Sequence, residues 1–317
     1  MSILYFLVQQ TMFFSIPLLI VALGGMFSER SGVINIALEG IMITGAFTGI
    51  LFINVVQKFV PGQPVLLMAV LVSSLSGMAI SLLHAYASIN MKADQIISGT
   101  AINMLAPALS IYIARMIRTV QQIPFVNQFH INKVPVLGDI PFLGQLFFRN
   151  TYITTYLGFL ILVLSSVVLY KTRFGLRLRS CGEHPQAADS AGINVYAMRY
   201  AGVMISGALA GLGGLVFVIP TSIEFNPEVS GYGFLALAVL IFGQWKPGRI
   251  LAAAFFFGLM KAVSSSHSGI AFLRAIPIPS YVYKMIPYIA TLVVLAFSSK
   301  MSQAPRAEGI PYDKGRR

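Results

Sequence analysis

Charge is what this sequence has least of. Asp, Glu, Lys and Arg make up 10% of its 317 residues, where soluble domains carry roughly 25%. Hydrophobic residues make up 56%, and the mean hydropathy is +0.79. That balance excludes one core wrapped in a polar surface. Most of the surface must face something as apolar as the interior, which is lipid. The little charge present is lopsided, 22 basic against 10 acidic residues, for a net charge of +12. Cytosolic loops rich in Lys and Arg account for such an excess. No basic stretch is interleaved with aromatics, so nucleic acid is not an expected partner.

Cysteine is nearly absent. Cys181 alone forms no intrachain disulfide. Among Arg177, Arg179 and Arg173 it reads as an activated thiol or, more simply, as a small loop residue. There is no Gly-Lys dipeptide, which rules out a Walker-type phosphate cradle. G-x-S-x-G and H-E-x-x-H are missing as well. The four histidines, at 84, 130, 184 and 267, share no ligand spacing. No catalytic, cofactor-binding or metal-binding residue is therefore expected, and the chain does not read as an enzyme.

What is present is a series of long apolar runs. A transmembrane helix needs about 20 mostly apolar residues, and candidate spans lie at 3–27, 33–56, 64–88, 96–114, 151–170, 198–220, 231–245, 249–267 and 284–299. The first holds Pro17, the second is polar at its start, and 231–245 is short. Part of 28–40 is expected to be re-entrant. The N-terminus lacks the basic n-region of a signal peptide. Loop 171–199, with Lys171, Arg173, Arg177, Arg179 and Arg199, is expected in the cytosol. So is the tail, with Lys300, Arg306, Lys314, Arg316 and Arg317. Alternation then puts the N-terminus and loop 115–150 outside.

Polar groups at membrane depth are functional candidates by default. Asn35 and Glu39, in Val33–Gly40, are expected to share one helical face at i, i+4. Asp94, Gln95, Ser98 and Asn103 open the fourth span, with 95, 98 and 103 near one face. These six are candidates for a pathway or gate. Each also has a structural reading: Asp94 as a helix cap, Glu39 as an acceptor for broken-helix N–H groups. Gly207, Gly211 and Gly214 recur at a spacing that lets two membrane helices approach closely, within the chain or on a partner. In loop 171–199, Pro185 suits the first turn of a short helix over 186–189 and Gly192 its stop. A short cytosolic helix with basic flanks is either a docking element or an ordinary interfacial helix.

That loop carries a resemblance. Arg177-x-Arg179-x-x-Gly182-Glu183-His184-Pro185-x-Ala187-Ala188-x-x-Ala191-Gly192-Ile193 resembles the R-A-x-G-E-N-P-x-A-A-x-x-x-G-I loop of ABC importer permeases of the ribose and branched-chain amino-acid type. His184 stands where Asn is usual. Phe27-Ser28-Glu29-Arg30-Ser31-Gly32-Val33-Ile34-Asn35-Ile36-Ala37-Leu38-Glu39-Gly40 is similar to the F-S-E-R-x-G-V-x-N-I-x-L-E-G signature of nucleoside-type permeases. Ala93–Asn103 and Ala304–Tyr312 match as well, so the resemblance spans nearly the whole chain.

The resemblance implies an all-α polytopic membrane protein of about eight transmembrane helices with a discontinuous second element. One permease domain would cover 1–300 and a cytosolic tail 301–317. Arg177, Gly182, Glu183, His184, Pro185, Ala187, Ala188 and Gly192 would couple the chain to a cytosolic ABC ATPase, often with two fused nucleotide-binding halves. ATP would be bound there and not by this chain, which needs no cofactor. The other implied partners are a second, longer permease subunit and a substrate-binding lipoprotein, in the plasma membrane. The substrate implied is a nucleoside, with purine nucleosides such as guanosine favoured. The alternatives are a sugar or branched-chain amino-acid permease of the same design, or an ion-coupled secondary transporter.

Overall fold

A backbone in lipid must satisfy its own N–H and C=O groups, and a helix does so within one apolar run. In chain order the computed structural model holds α1 (Ser2–Arg30), α2 (Leu38–Val56), α3 (Gln63–Ala85), α4 (Gln95–Arg118), β1 (Ile123–Pro124), β2 (His130–Lys133), α5 (Leu143–Phe147), β3 (Arg149–Tyr152), α6 (Ile153–Lys171), α7 (Arg173–Glu183), α8 (Pro185–Ser190), α9 (Val195–Thr221), β4 (Glu224–Phe225), α10 (Tyr232–Phe242), α11 (Pro247–Ser266) and α12 (Ser280–Ser298). It describes residues 2–141, 143–266, 279–298 and 303–315. The ends of the spans read at 249–267 and 284–299, with His267, Lys300, Arg316 and Arg317, lie outside the described residues.

Among the described residues, α1, α2, α3, α4, α6, α9 and α11 are long and apolar enough to cross a membrane. With the 19-residue α12 they make eight helices of span length. The chain is a multi-pass, all-α membrane protein. Its only sheet, among the described residues, is two short antiparallel ribbons, β1 with β4 and β2 with β3.

Long-range bonds define two ends. At the near end Arg30 meets Glu183 and the Trp245 carbonyl, and Lys92 meets Asp313. At the far end Gln9 bonds the Gln145 carbonyl, Asn54 the Pro124 carbonyl and Gln63 the Phe129 carbonyl. Helices α1 and α9 form the hub, buried along most of their length, whereas α4 is largely exposed. α9 packs on α1, α2 and α3 through small residues. A Cβ on Gly207 would strike Ser81 of α3, one on Gly211 would strike the Ser73 carbonyl, and one on Gly214 would strike the Met42 carbonyl of α2. The close approach of α9 is thus made within this chain.

Several boundaries differ from the sequence reading. α1 continues through Glu29 and Arg30, and residues 31–37 are not helical. α2 therefore starts at Leu38 rather than 33, so Asn35 and Glu39 share no helical face. The physical reason is at Asn35, whose Oδ1 accepts from the Ala37 N–H at 3.2 Å and turns the backbone before the helix begins. Residues 231–245 hold only the 11-residue α10, preceded by a non-helical leg from 222 to 231 containing β4. The expected discontinuity is thus present twice. Finally, α7 precedes the expected short helix, and the latter runs Pro185–Ser190.

Candidate functional site

Residues 31–37 carry irregular backbone into the bundle, which is tolerable only where protein or enclosed water satisfies it. α4 does much of this. Gln95 Oε1 accepts from the Ile34 N–H at 2.7 Å. Asn103 donates to the Ile36 carbonyl at 2.8 Å and accepts from the Gly40 N–H at 2.7 Å. His84 Nε2 donates to the Ile34 carbonyl at 2.8 Å, and its Nδ1 shares a hydrogen bond with Ser98 Oγ at 3.1 Å. Asn35 Nδ2 donates to Ser206 Oγ of α9 at 2.9 Å. Asp94 caps α4, accepting from Ile96 and Ile97 N–H. Gln95 and Asn103 bond the break directly, and Ser98 reaches it through His84.

Glu39, the second residue of α2, reaches the second break. Its carboxylate accepts from Gly231 N–H at 2.9 Å and Gly233 N–H at 2.6 Å, closing the start of α10. A negative acceptor at a helix N-terminus complements the macrodipole, and charge-assisted bonds are the stronger kind. The two irregular segments are thereby tied to each other. Glu39→Leu leaves two N–H groups unsatisfied at membrane depth, a loss on the order of 2–6 kcal/mol. The expected outcome is a clear fall in the melting temperature and yield of the purified assembly, with Glu39→Gln milder. Wild-type stability for Glu39→Leu would refute the capping role.

At the near end, Glu29 accepts from Trp245 Nε1, in the turn between α10 and α11. Arg30 donates to the Trp245 carbonyl at 3.2 Å and lies 3.6 Å from Glu183, the last residue of α7. Gly182 packs against the Arg30 carbonyl, where a Cβ has no room. His184 caps α8, its Nδ1 accepting from Ala187 N–H at 3.1 Å, so it does what Asn would do there. Pro185 and Ala188 are buried beneath α8. Arg177, Glu183, His184, Ala187 and Gly192 are exposed, the last at φ +80°, where glycine suits the turn. Cys181 is buried, and burial raises its thiol while Arg199 opposes that only in part. This is not an activated thiolate.

The tail lies across these groups. Ala307 N–H donates to the Gly182 carbonyl at 2.8 Å, Gly309 N–H to the Gly32 carbonyl at 3.2 Å, and buried Arg199 to the Ile310 carbonyl at 3.0 Å. Gly32, at φ +96°, leaves room for the Arg199 guanidinium. Burial raises the Glu308 carboxyl, against the lowering effect of Glu29 and Arg30.

Sequence reasoning missed His84, Trp245, α7 and the docked tail. The composition of the tail motif was the one available signal for the last. It also passed over Lys261 on α11, a charge inside an apolar span, whose Nζ lies 5.8 Å from the Tyr232 ring.

Residues 7–295 match the profile of a family described as branched-chain amino acid transport system / permease component. Over 318 aligned residues, all of this chain and 99% of the relative, it is 45% identical to the guanosine ABC transporter permease protein NupQ of Bacillus subtilis. It is 40% identical to the nucleoside ABC transporter permease protein NupC of Lactococcus lactis, over 99% of this chain and 98% of that protein. Against the putative glucose ABC transporter permease protein TsgC13 of Haloferax volcanii, identity is 30%, over 91% and 90% of the two chains. No solved structure matches it significantly.

Proposed function

The chain belongs to the family of branched-chain amino acid transport system permease components, and from that premise we propose that it is the membrane permease of an ABC importer for nucleosides, with purine nucleosides such as guanosine as substrate. The observation that carries the reading is full-length identity to two nucleoside permeases from different organisms. The sugar alternative rests on lower identity, 30% to a putative glucose permease.

In this reading the chain performs no catalytic step. A second, distinct permease completes the pathway, a cytosolic ABC ATPase hydrolyses ATP, and a substrate-binding lipoprotein delivers the nucleoside. The near end faces the cytosol with α8 and the tail, and the N-terminus lies outside. ATP-driven closure of the ATPase pulls on α8. The pull passes from Glu183 to Arg30, then along 31–37 to α2, and through Glu39 to α10. Two broken elements joined by one carboxylate can change position together without either exposing unpaired backbone to lipid.

The test is uptake of tritiated guanosine by proteoliposomes holding the chain with its three partners. Uptake is expected to need ATP and to be competed by adenosine and inosine, but not by glucose or leucine. Competition by glucose alone would establish the sugar reading. Uptake without ATP, driven by an ion gradient, would establish a secondary transporter.

A further inference from the structure

We propose that the break before α10, with the facing strip of α12, is this chain's half of the substrate contact site, holding the flat base of a nucleoside against Phe234 and Tyr288 with Glu228 and Ser230 beside its polar groups. The proposal rests on the nucleoside reading above. Its basis is first one of depth. α10 has 11 residues, so it rises about 16 Å from its near-end turn at Trp245. Its first residue therefore lies near the middle of a hydrocarbon core about 30 Å thick. The leg from 222 to 231 crosses the other half without a helix, and Glu228 and Ser230 on it are exposed. Irregular backbone and an exposed carboxylate do not face lipid at that depth. This flank borders water.

The second basis is the shape and chemistry of the flank. On α10 only Phe234 and Ile241 are exposed, at i, i+7, with Leu237 and Phe242 half-buried. Beside Phe234, α12 presents Tyr288, and the two line an apolar cleft of about 350 Å³ with Gly231 and Leu292. A Cβ on Gly231 would make an ordinary contact with Tyr288 Oη at 3.9 Å, so the ring borders the break. A polar cleft of about 200 Å³, lined by Glu224, Asn226, Glu228 and Ser230, adjoins the apolar one through the neighbouring residues Ser230 and Gly231. Two exposed aromatic rings on one side and a carboxylate with hydroxyl and amide groups on the other match the two halves of a nucleoside. The base offers a π-face to stack, and the ribose and base edge offer hydrogen bonds.

The experiment uses the reconstituted four-component importer. Ser230→Cys and Phe234→Cys are treated with a membrane-impermeant thiosulfonate, with and without guanosine. Wild type, whose single Cys181 is buried, gives the background, and Leu160→Cys on the exposed face of α6 gives a lipid-facing reference. Both site cysteines are expected to react faster than the reference, and guanosine is expected to slow them. Phe234→Ala is expected to weaken guanosine uptake about tenfold to a hundredfold, with Phe234→Trp close to wild type. If wild type takes up no nucleoside, the functional reading fails. If wild type does, the present inference alone is overturned by unreactive site cysteines, which would indicate lipid or a helix of the second permease in the cleft. Reaction that guanosine leaves unchanged, or wild-type uptake by an assembled Phe234→Ala complex, would overturn it equally.

Discussion

Valine in place of Gly211 is expected to abolish the folded protein. Gly211 lies where α9 is pressed between two helices. Its own Cβ would meet the Ser73 carbonyl and Gly77 of α3, and from the other side a Cβ on Gly45 of α2 would meet the Gly211 backbone. Overpacking in a well-filled core costs about 1–3 kcal/mol where neighbours can shift. Here the neighbours are backbone atoms on both flanks, so relief requires moving a whole helix. Detergent-solubilised Gly211→Val should elute as aggregate in size-exclusion chromatography. Gly211→Ala should be folded but less stable. Gly248→Ala, in the first turn of α11 with no atom within 4 Å of the added Cβ, should match wild type. A monodisperse Gly211→Val protein with wild-type melting temperature would show that α9 does not pack this way.

The second large effect is on coupling. Glu183→Lys combined with Ala187→Trp is expected to leave the importer assembled and ATP hydrolysis running while guanosine uptake falls by about tenfold or more. Both positions are exposed, so the fold tolerates the change. At 183 a lysine faces Arg30, turning an attraction at 3.6 Å into a repulsion. At 187 an indole alters the face of α8 that a partner would grip. Hydrolysis and uptake measured on the same proteoliposomes separate uncoupling from loss of assembly. Unchanged uptake in an assembled complex would remove α7 and α8 from the coupling role.

The bundle was legible in the sequence because hydropathy is a property of runs, and runs of 19 residues or more are hard to mistake. The short helix at Pro185 was legible for a local reason, a proline at its first turn and a glycine past its end. That Gln95, Ser98 and Asn103 lie near one face of α4 followed from helical period. The true start of α2 did not, since Val33, Ile34, Ile36 and Ala37 are as apolar as any span. What keeps them out of a helix is the side chain of Asn35 together with Gln95, His84 and Asn103, some 50 to 67 residues away. The same holds for α10. Its run looks like a short span, and only Glu39, 192 positions earlier, shows why it can begin in mid-membrane. Contacts of that separation leave no periodic mark. The substrate-facing strip was invisible for a related reason. Phe234 and Tyr288 look like two more apolar residues until the break beside them is seen.

The docked tail has a consequence for biogenesis. Gly32 emerges from the ribosome early, and its carbonyl waits for Gly309; Gly182 likewise waits for Ala307, and the buried Arg199 for the carbonyl of Ile310. Synthesis runs from one terminus to the other, so the near end stays incomplete until residues 307–310 are made. A chain cut before residue 307 would lack all three bonds, leaving the buried Arg199 guanidinium without the Ile310 carbonyl at a surface whose helices are already in place.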